Sequence, residues 1–100
     1  MIKNEEKRRN AEEIGKIIYK HRMNLSLEHS SRDYFINDRS NINILPNNWI
    51  SSKSLTNIEL GKNFPSYTAL KLLSVALEID FIDLIKEVDP YMPDTLNNKL

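Results

Sequence analysis

Residues 50–66, ISSKSLTNIELGKNFPS, decide the reading of this chain. Ile50, Leu55 and Ile58 are the apolar positions, and Leu55 and Ile58 lie three apart, on one face of a helix. Ser51, Ser52, Lys53, Thr56 and Asn57 are short or basic hydrogen-bonding residues, several of them away from that face. Such a helix leans on a core with one side and offers the other to a groove. Ser51 or Ser52 supplies a hydroxyl to cap its start. Gly61 predicts a left-handed residue that ends it.

The longer stretch SSKSLTNIELGKNFPSYTALKLLSVALEI, residues 51–79, resembles the second half of a Cro/C1-type helix-turn-helix domain, the family of Xre-like regulators. Ile58, Glu59, Gly61, Lys62, Pro65, Ser66, Leu70, Leu73, Ala76 and Leu77 stand where the family pattern wants them. The resemblance extends loosely back to Ile14-Gly15, which looks like the family's opening dipeptide, and to Arg22, which looks like the arginine that ends its first helix. It implies an all-α, compact five-helix, lambda-repressor-like helix-turn-helix domain that binds double-stranded DNA. By the same resemblance Glu59 is structural, bracing a neighbouring backbone or basic side chain.

Composition sets the outer bounds. One hundred residues make one small domain. The absence of cysteine excludes disulfides, thiolate metal sites and cysteine nucleophiles. No apolar run is long enough to span a membrane, and the opening MIKNEEKRRNAEE has no signal-like apolar stretch, so the expected location is cytoplasmic. The net charge is zero, but it is unevenly placed. Residues 1–77 hold twelve Lys or Arg against eight Asp or Glu, and residues 78–100 hold two against six. Phosphate contact depends on such local placement rather than on the total.

Taken in order, residues 1–9 read as a flexible polar tail, in which Lys7-Arg8-Arg9 is either an arm for phosphate or solvated surface. Asn10 reads as the N-cap of the first helix, which runs to Arg22 or Met23 with Ile14, Ile17, Ile18 and His21 on its buried stripe. Lys16, Lys20 and Arg22 are expected to face outward. His21 reads as a half-buried, hydrogen-bonded histidine. Ser26 reads as the cap of a second helix over Leu27–Tyr34 or Phe35. In that register Leu27 replaces the family's DNA-contacting glutamine, and Ser30 stands at a buried leucine.

The next segment departs most from the family. Residues 36–49, INDRSNINILPNNW, form an insert where the family has a tight turn. Ile42 and Ile44 alternate with asparagines, which suggests a short extended piece. Three uses remain open: capping the core, reaching DNA through Arg39, or binding a partner through Ile42, Ile44 and Trp49. Further on, Ser66 caps a fourth helix carrying Leu70, Leu73, Ala76 and Leu77. Asp80, with Asp83 three later, caps a fifth that buries Phe81, Leu84, Ile85 and Val88. Asp89-Pro90 stops it. The domain is thus expected at 10–89, with a C-terminal tail at 90–100.

Catalysis is not expected. The two histidines are eight apart with no third ligand in metal-binding spacing. No residues are set out as a nucleophilic triad, there is no Gly-rich phosphate loop, and no cofactor or metal is implied. The leading expectation is a sequence-specific DNA-binding transcriptional regulator, a repressor, acting as a homodimer on an inverted-repeat operator. Ser52, Lys53, Thr56 and Asn57 are the candidates for base contact, since serine, threonine, lysine and asparagine supply the donors and acceptors that base edges match. Lys62, Asn63, Ser66 and Tyr67 are the candidates for phosphate, with Arg22, His29 and Arg39 as accessory contacts. The alternative is a protein-interaction domain of the same fold, an antagonist or assembly factor for another regulator, which an apolar patch at Ile42, Ile44, Trp49 and Phe64 would favour. An antitoxin combining both abilities is a third reading.

Overall fold

The computed structural model describes residues 4–93. Five α-helices follow one another: α1 Asn4–Met23, α2 Arg32–Asn41, α3 Ser52–Glu59, α4 Tyr67–Ala76 and α5 Phe81–Val88. A short 3-10 turn, Asp89–Tyr91, follows α5, and there is no strand among the described residues. The chain is a small all-α domain. No helix of the described residues is long and apolar enough to cross a membrane.

Serine and aspartate start four of these helices. Ser31 Oγ accepts from Tyr34 N–H, Ser51 Oγ from Ser54 N–H, and Ser66 Oγ from Ala69 N–H. Asp80 accepts from the N–H groups of Ile82 and Asp83. Each hydroxyl or carboxylate satisfies amides that have no partner within the first turn. The expected caps Ser66 and Asp80 hold, and of the two serines offered for α3 it is Ser51.

Two starts differ from expectation. Asn10 is inside α1 rather than its cap, because the helix begins at Asn4. Glu5 and Glu6 in the first turn complement the helix dipole, and Lys7, Arg8 and Arg9 are good helix formers, so residues 4–9 are helical although exposed. The second helix begins after Ser31, five residues later than Ser26 would place it. Both serines carry the same local signature, and a tertiary contact sits beside the one that is used. Arg22 Nη1 donates to the carbonyl oxygen of Ser30, which lies just ahead of the Ser31 cap. In the observed register Phe35 and Ile36 are buried, and Ser30 lies exposed with no burial to offset.

The same shift shrinks the insert, since residues 36–41 belong to α2. What remains, residues 42–49, contains turns rather than an extended piece. The N–H groups of Ile44 and Leu45 both donate to Arg39 O, closing the end of α2, and Asn43 reverses the chain at φ 62°. Asn48 repeats this conformation at φ 59°. Trp49 then folds inward, its Nε1–H donating to Ile36 O at 3.0 Å and its ring meeting Phe35 edge-on at 5.8 Å. Of the three uses open for the insert, the structure supports capping of the core.

The core joins Ile14 and Ile18 of α1, Phe35 and Ile36 of α2, Leu55 and Ile58 of α3, Leu70, Leu73, Ala76 and Leu77 at α4, and Leu84 and Val88 of α5. Tyr91 and Met92 pack against it from beyond α5, so the domain does not end at residue 89. The expected tail therefore begins later than Pro90; residues 94–100, like residues 1–3, lie outside the described residues.

α1 and α3 approach to backbone contact. A Cβ built at Gly15 would stand 2.6 Å from Ile58 O and closer still to Glu59 O. Gly61, at φ 75°, ends α3 in the expected left-handed conformation, and there a Cβ would collide with Glu12 of α1. Gly15→Ala should therefore destabilise the fold. Alanine raises helix propensity by about 1 kcal/mol, but overpacking against backbone carbonyls costs about 1–3 kcal/mol because they cannot swing aside. A fall in the thermal midpoint is expected on unfolding by circular dichroism; an unchanged or higher midpoint would show that α1 and α3 are less tightly apposed.

Candidate nucleic-acid interface

The amphipathic division of α3 organises this surface. Leu55, Ile58 and Glu59 face inward and are buried. Ser52, Lys53, Thr56 and Asn57, at i, i+1, i+4 and i+5, form a second face adjoining the first. Ser52 and Lys53 are exposed, while Thr56 and Asn57 are half-buried. All four candidates for base contact thus fall on one helical face, with Ser52 and Lys53 open to solvent.

Glu59 fixes the inner side. Its carboxylate, 1% exposed, accepts from Arg22 Nε at 2.6 Å and Nη2 at 2.9 Å, and from Arg32 Nε at 2.8 Å. One acid thereby binds α1, α2 and α3 together. The structural role implied for Glu59 is what these contacts describe. Arg22 is not an accessory contact on the surface: its side chain is 4% exposed, lies between Glu59 and Ser30 O, and stacks over the Tyr19 ring at 5.5 Å. Lysine could not bridge the carboxylate in this bidentate way.

Arg39 is likewise internal rather than a contact reaching out from the insert. Nη1 donates to Ala76 O at 3.2 Å and to Glu78 at 2.7 Å, and Nε and Nη2 donate to Asp38. Burial works to lower its pKa, but the hydrogen bonds and charges of Asp38 and Glu78 outweigh burial and hold the guanidinium above its ordinary value. It stays charged throughout the physiological range, and it latches the end of α2 to the end of α4, where Glu78 takes φ 58°.

The remaining candidates sit on open surface. Lys62 and Asn63 are exposed in the α3–α4 turn, with both backbone N–H groups donating to Asn57 O. Ser66 is exposed as the α4 cap. Tyr67 is 64% exposed and meets Phe81 edge-on at 5.5 Å. His29 is exposed, its ring against Tyr34 at 4.9 Å. His21 is half-buried with Nε2 at 2.7 Å from Glu87, the state expected of it.

Two clefts flank α3. One, of about 360 Å³, runs between the starts of α2 and α3 and brings Ser52 and Thr56 beside Ser31, Arg32 and Asp33. The other, of about 470 Å³, lies between the starts of α3 and α4 and brings Ser51 and Ser54 beside Asn63, Ser66 and Thr68. Of the phosphate candidates, Asn63 and Ser66 line the second cleft, whereas the base-contact candidates Ser52 and Thr56 line the first. Arg32 is a residue of this surface that the sequence alone does not single out. Only its Nε is engaged among the described residues, and its side chain is 29% exposed, with neither terminal nitrogen fully buried. Its sequence signal, a cation directly after the capping Ser31, is hidden when the helix is started at Ser26.

Of the apolar patch that would favour a protein partner, Trp49 and Phe64 line the α3–α4 cleft together, and Ile42 and Ile44 lie outside it. Trp49 is buried, Ile44 and Phe64 are half-buried, and only Ile42 is well exposed. Among the described residues no group of three or more His, Asp or Glu is placed to hold a metal ion. Comparison with protein-family models, with curated proteins and with solved structures returned no match.

Removing the acid should expose how much rests on it. Glu59→Ala leaves Arg22 buried without its counter-charge and should cost about 3–5 kcal/mol. Arg32→Ala should cost no more than about 1 kcal/mol, because Arg32 is partly solvated. The double replacement Arg22→Met, Glu59→Leu should recover most of the stability that Glu59→Ala removes. Urea denaturation of the three variants checks the order; equal effects of Glu59→Ala and Arg32→Ala would contradict it.

Proposed function

We propose that the domain is a sequence-specific double-stranded DNA-binding regulator of the Cro/C1 helix-turn-helix kind, with α3 as the helix that enters the major groove. The observation that carries this reading is the run of exposed or half-buried polar residues Ser52, Lys53, Thr56 and Asn57 on one side of α3, next to the exposed Lys62-Asn63 turn whose N–H groups donate to Asn57 O. A major groove about 12 Å wide admits one helix with its side chains. Ser52, Lys53, Thr56 and Asn57 then meet base edges, while Lys62, Asn63, Ser66 and Tyr67 hold the backbone. Lys53 and Lys62 have no carboxylate partner among the described residues, so their charges are available to DNA.

One such module buries limited area, so affinity requires a homodimer on an inverted repeat. Occupying a promoter in the cytoplasm would repress transcription by exclusion. The role is binding, without catalysis or cofactor. The protein-interaction alternative has less exposed apolar surface to use, since Trp49 is buried with its Nε1–H on Ile36 O.

Selection of bound duplexes from a random library at moderate salt tests the proposal. An enriched inverted repeat is the expected result; no enrichment and no salt-dependent binding would overturn it. On the recovered site, Asn57→Ala should weaken specific binding by about 1–3 kcal/mol while leaving random DNA nearly unaffected. Lys62→Ala should weaken both and lower the salt slope by about 0.9. Fluorescence anisotropy at several salt concentrations separates these two signatures.

A further inference from the structure

α1 does not end where it packs on α3. Gly15 marks the close approach to Ile58 and Glu59, and Glu12 lies against Gly61. On the same stripe, one and two turns earlier, come Ala11, Arg8 and Lys7. The overhanging turns form one wall of an open groove of about 490 Å³, whose other wall is Leu60, Lys62 and Phe64 of the α3–α4 connection. Three cations, Lys7, Arg8 and Lys62, line this groove against one acid, Glu12. Glu5, Glu6 and Arg9 share the helix but do not line the groove. None of Lys7, Arg8 and Lys62 pairs with a carboxylate among the described residues.

We infer that the first turns of α1 are a backbone clamp, in which Lys7 and Arg8 bind DNA phosphates beside the phosphate held by Lys62. The inference rests on the DNA-binding reading and extends its footprint from the α3–α4 turn onto α1. Charge complementarity and continuity with the Lys62 surface identify the occupant. Unpaired cations on a rigid helix contact phosphate without first breaking an internal ion pair or ordering a loose arm. Leu60, 51% exposed on the wall opposite α1, then lies against the sugar edge rather than open water. The clamp carries no sequence information, because phosphate is the same at every base step.

The test is the double variant Lys7→Ala, Arg8→Ala in the full chain, beside Lys62→Ala, each titrated against a mixed-sequence duplex over a range of salt. Both substitutions lie on exposed surface and favour helix, so far-UV circular dichroism and the thermal midpoint should match wild type. The expected result is weaker binding with a salt slope reduced by about 1.8, which is about 0.9 for each phosphate that is no longer neutralised. Affinity for the selected operator should fall by the same factor as for the mixed duplex. If Lys62→Ala weakens binding while the double variant binds like wild type, the clamp is wrong and the DNA-binding reading stands. An acidic peptide would then be the better occupant of the groove. If neither protein differs from wild type, both readings fall together.

Discussion

The structure depends on one buried carboxylate. Glu59 is the last residue of α3, and it receives two N–H groups from Arg22 of α1 and one from Arg32 of α2. An ion pair taken out of water gains little net stability, because desolvation consumes most of the attraction. What it does set is orientation. A bidentate guanidinium fixes distance and plane at once, so α3 cannot rotate about its axis without stranding a charge. The glycines at 15 and 61 permit the contact by letting α1 approach the end of α3 to backbone distance. Arg22 also reaches the start of α2, where its remaining nitrogen engages Ser30 O.

This constraint determines what faces solvent. With Glu59, Ile58 and Leu55 held inward, the adjoining face leaves Ser52 and Lys53 exposed and Thr56 and Asn57 half-buried at the edge of the core. The turn after Gly61 then carries Lys62 and Asn63 to the edge of that face. A second latch, Arg39 on Ala76 O and Glu78, ties the end of α2 to the end of α4. Trp49 closes the connection between α2 and α3 over Phe35. The framework around the proposed reading helix is therefore pinned at three points, and DNA would meet a surface already arranged for it.

Much of this is legible in the residues, and the exceptions have a common cause. The second half of the chain reads closely because its signals are local: Ser66 and Asp80 cap, Gly61 terminates, and Leu70, Leu73, Ala76 and Leu77 repeat at helical spacing. The first half misleads where two local solutions compete. Ser26 and Ser31 are equally good caps, and the one used is the one beside the Arg22 contact at Ser30 O. Arg22 and Arg39 look like surface because arginine usually is; their burial follows from carboxylates and carbonyls far away in sequence. The overhang of α1 is silent in the sequence because residues 4–9 bury nothing, so no apolar stripe announces them. Arg32 is obscured along with the register of α2.

The most direct measurement is a titration of isotope-labelled protein with a mixed-sequence duplex, followed by backbone amide shifts at low salt. Perturbations should gather on Ser52–Asn57 and Lys62–Tyr67, and weaken together as salt is raised. Shifts confined to α5 and the following turn, or none at all under conditions where the protein is folded, would contradict a DNA-facing α3.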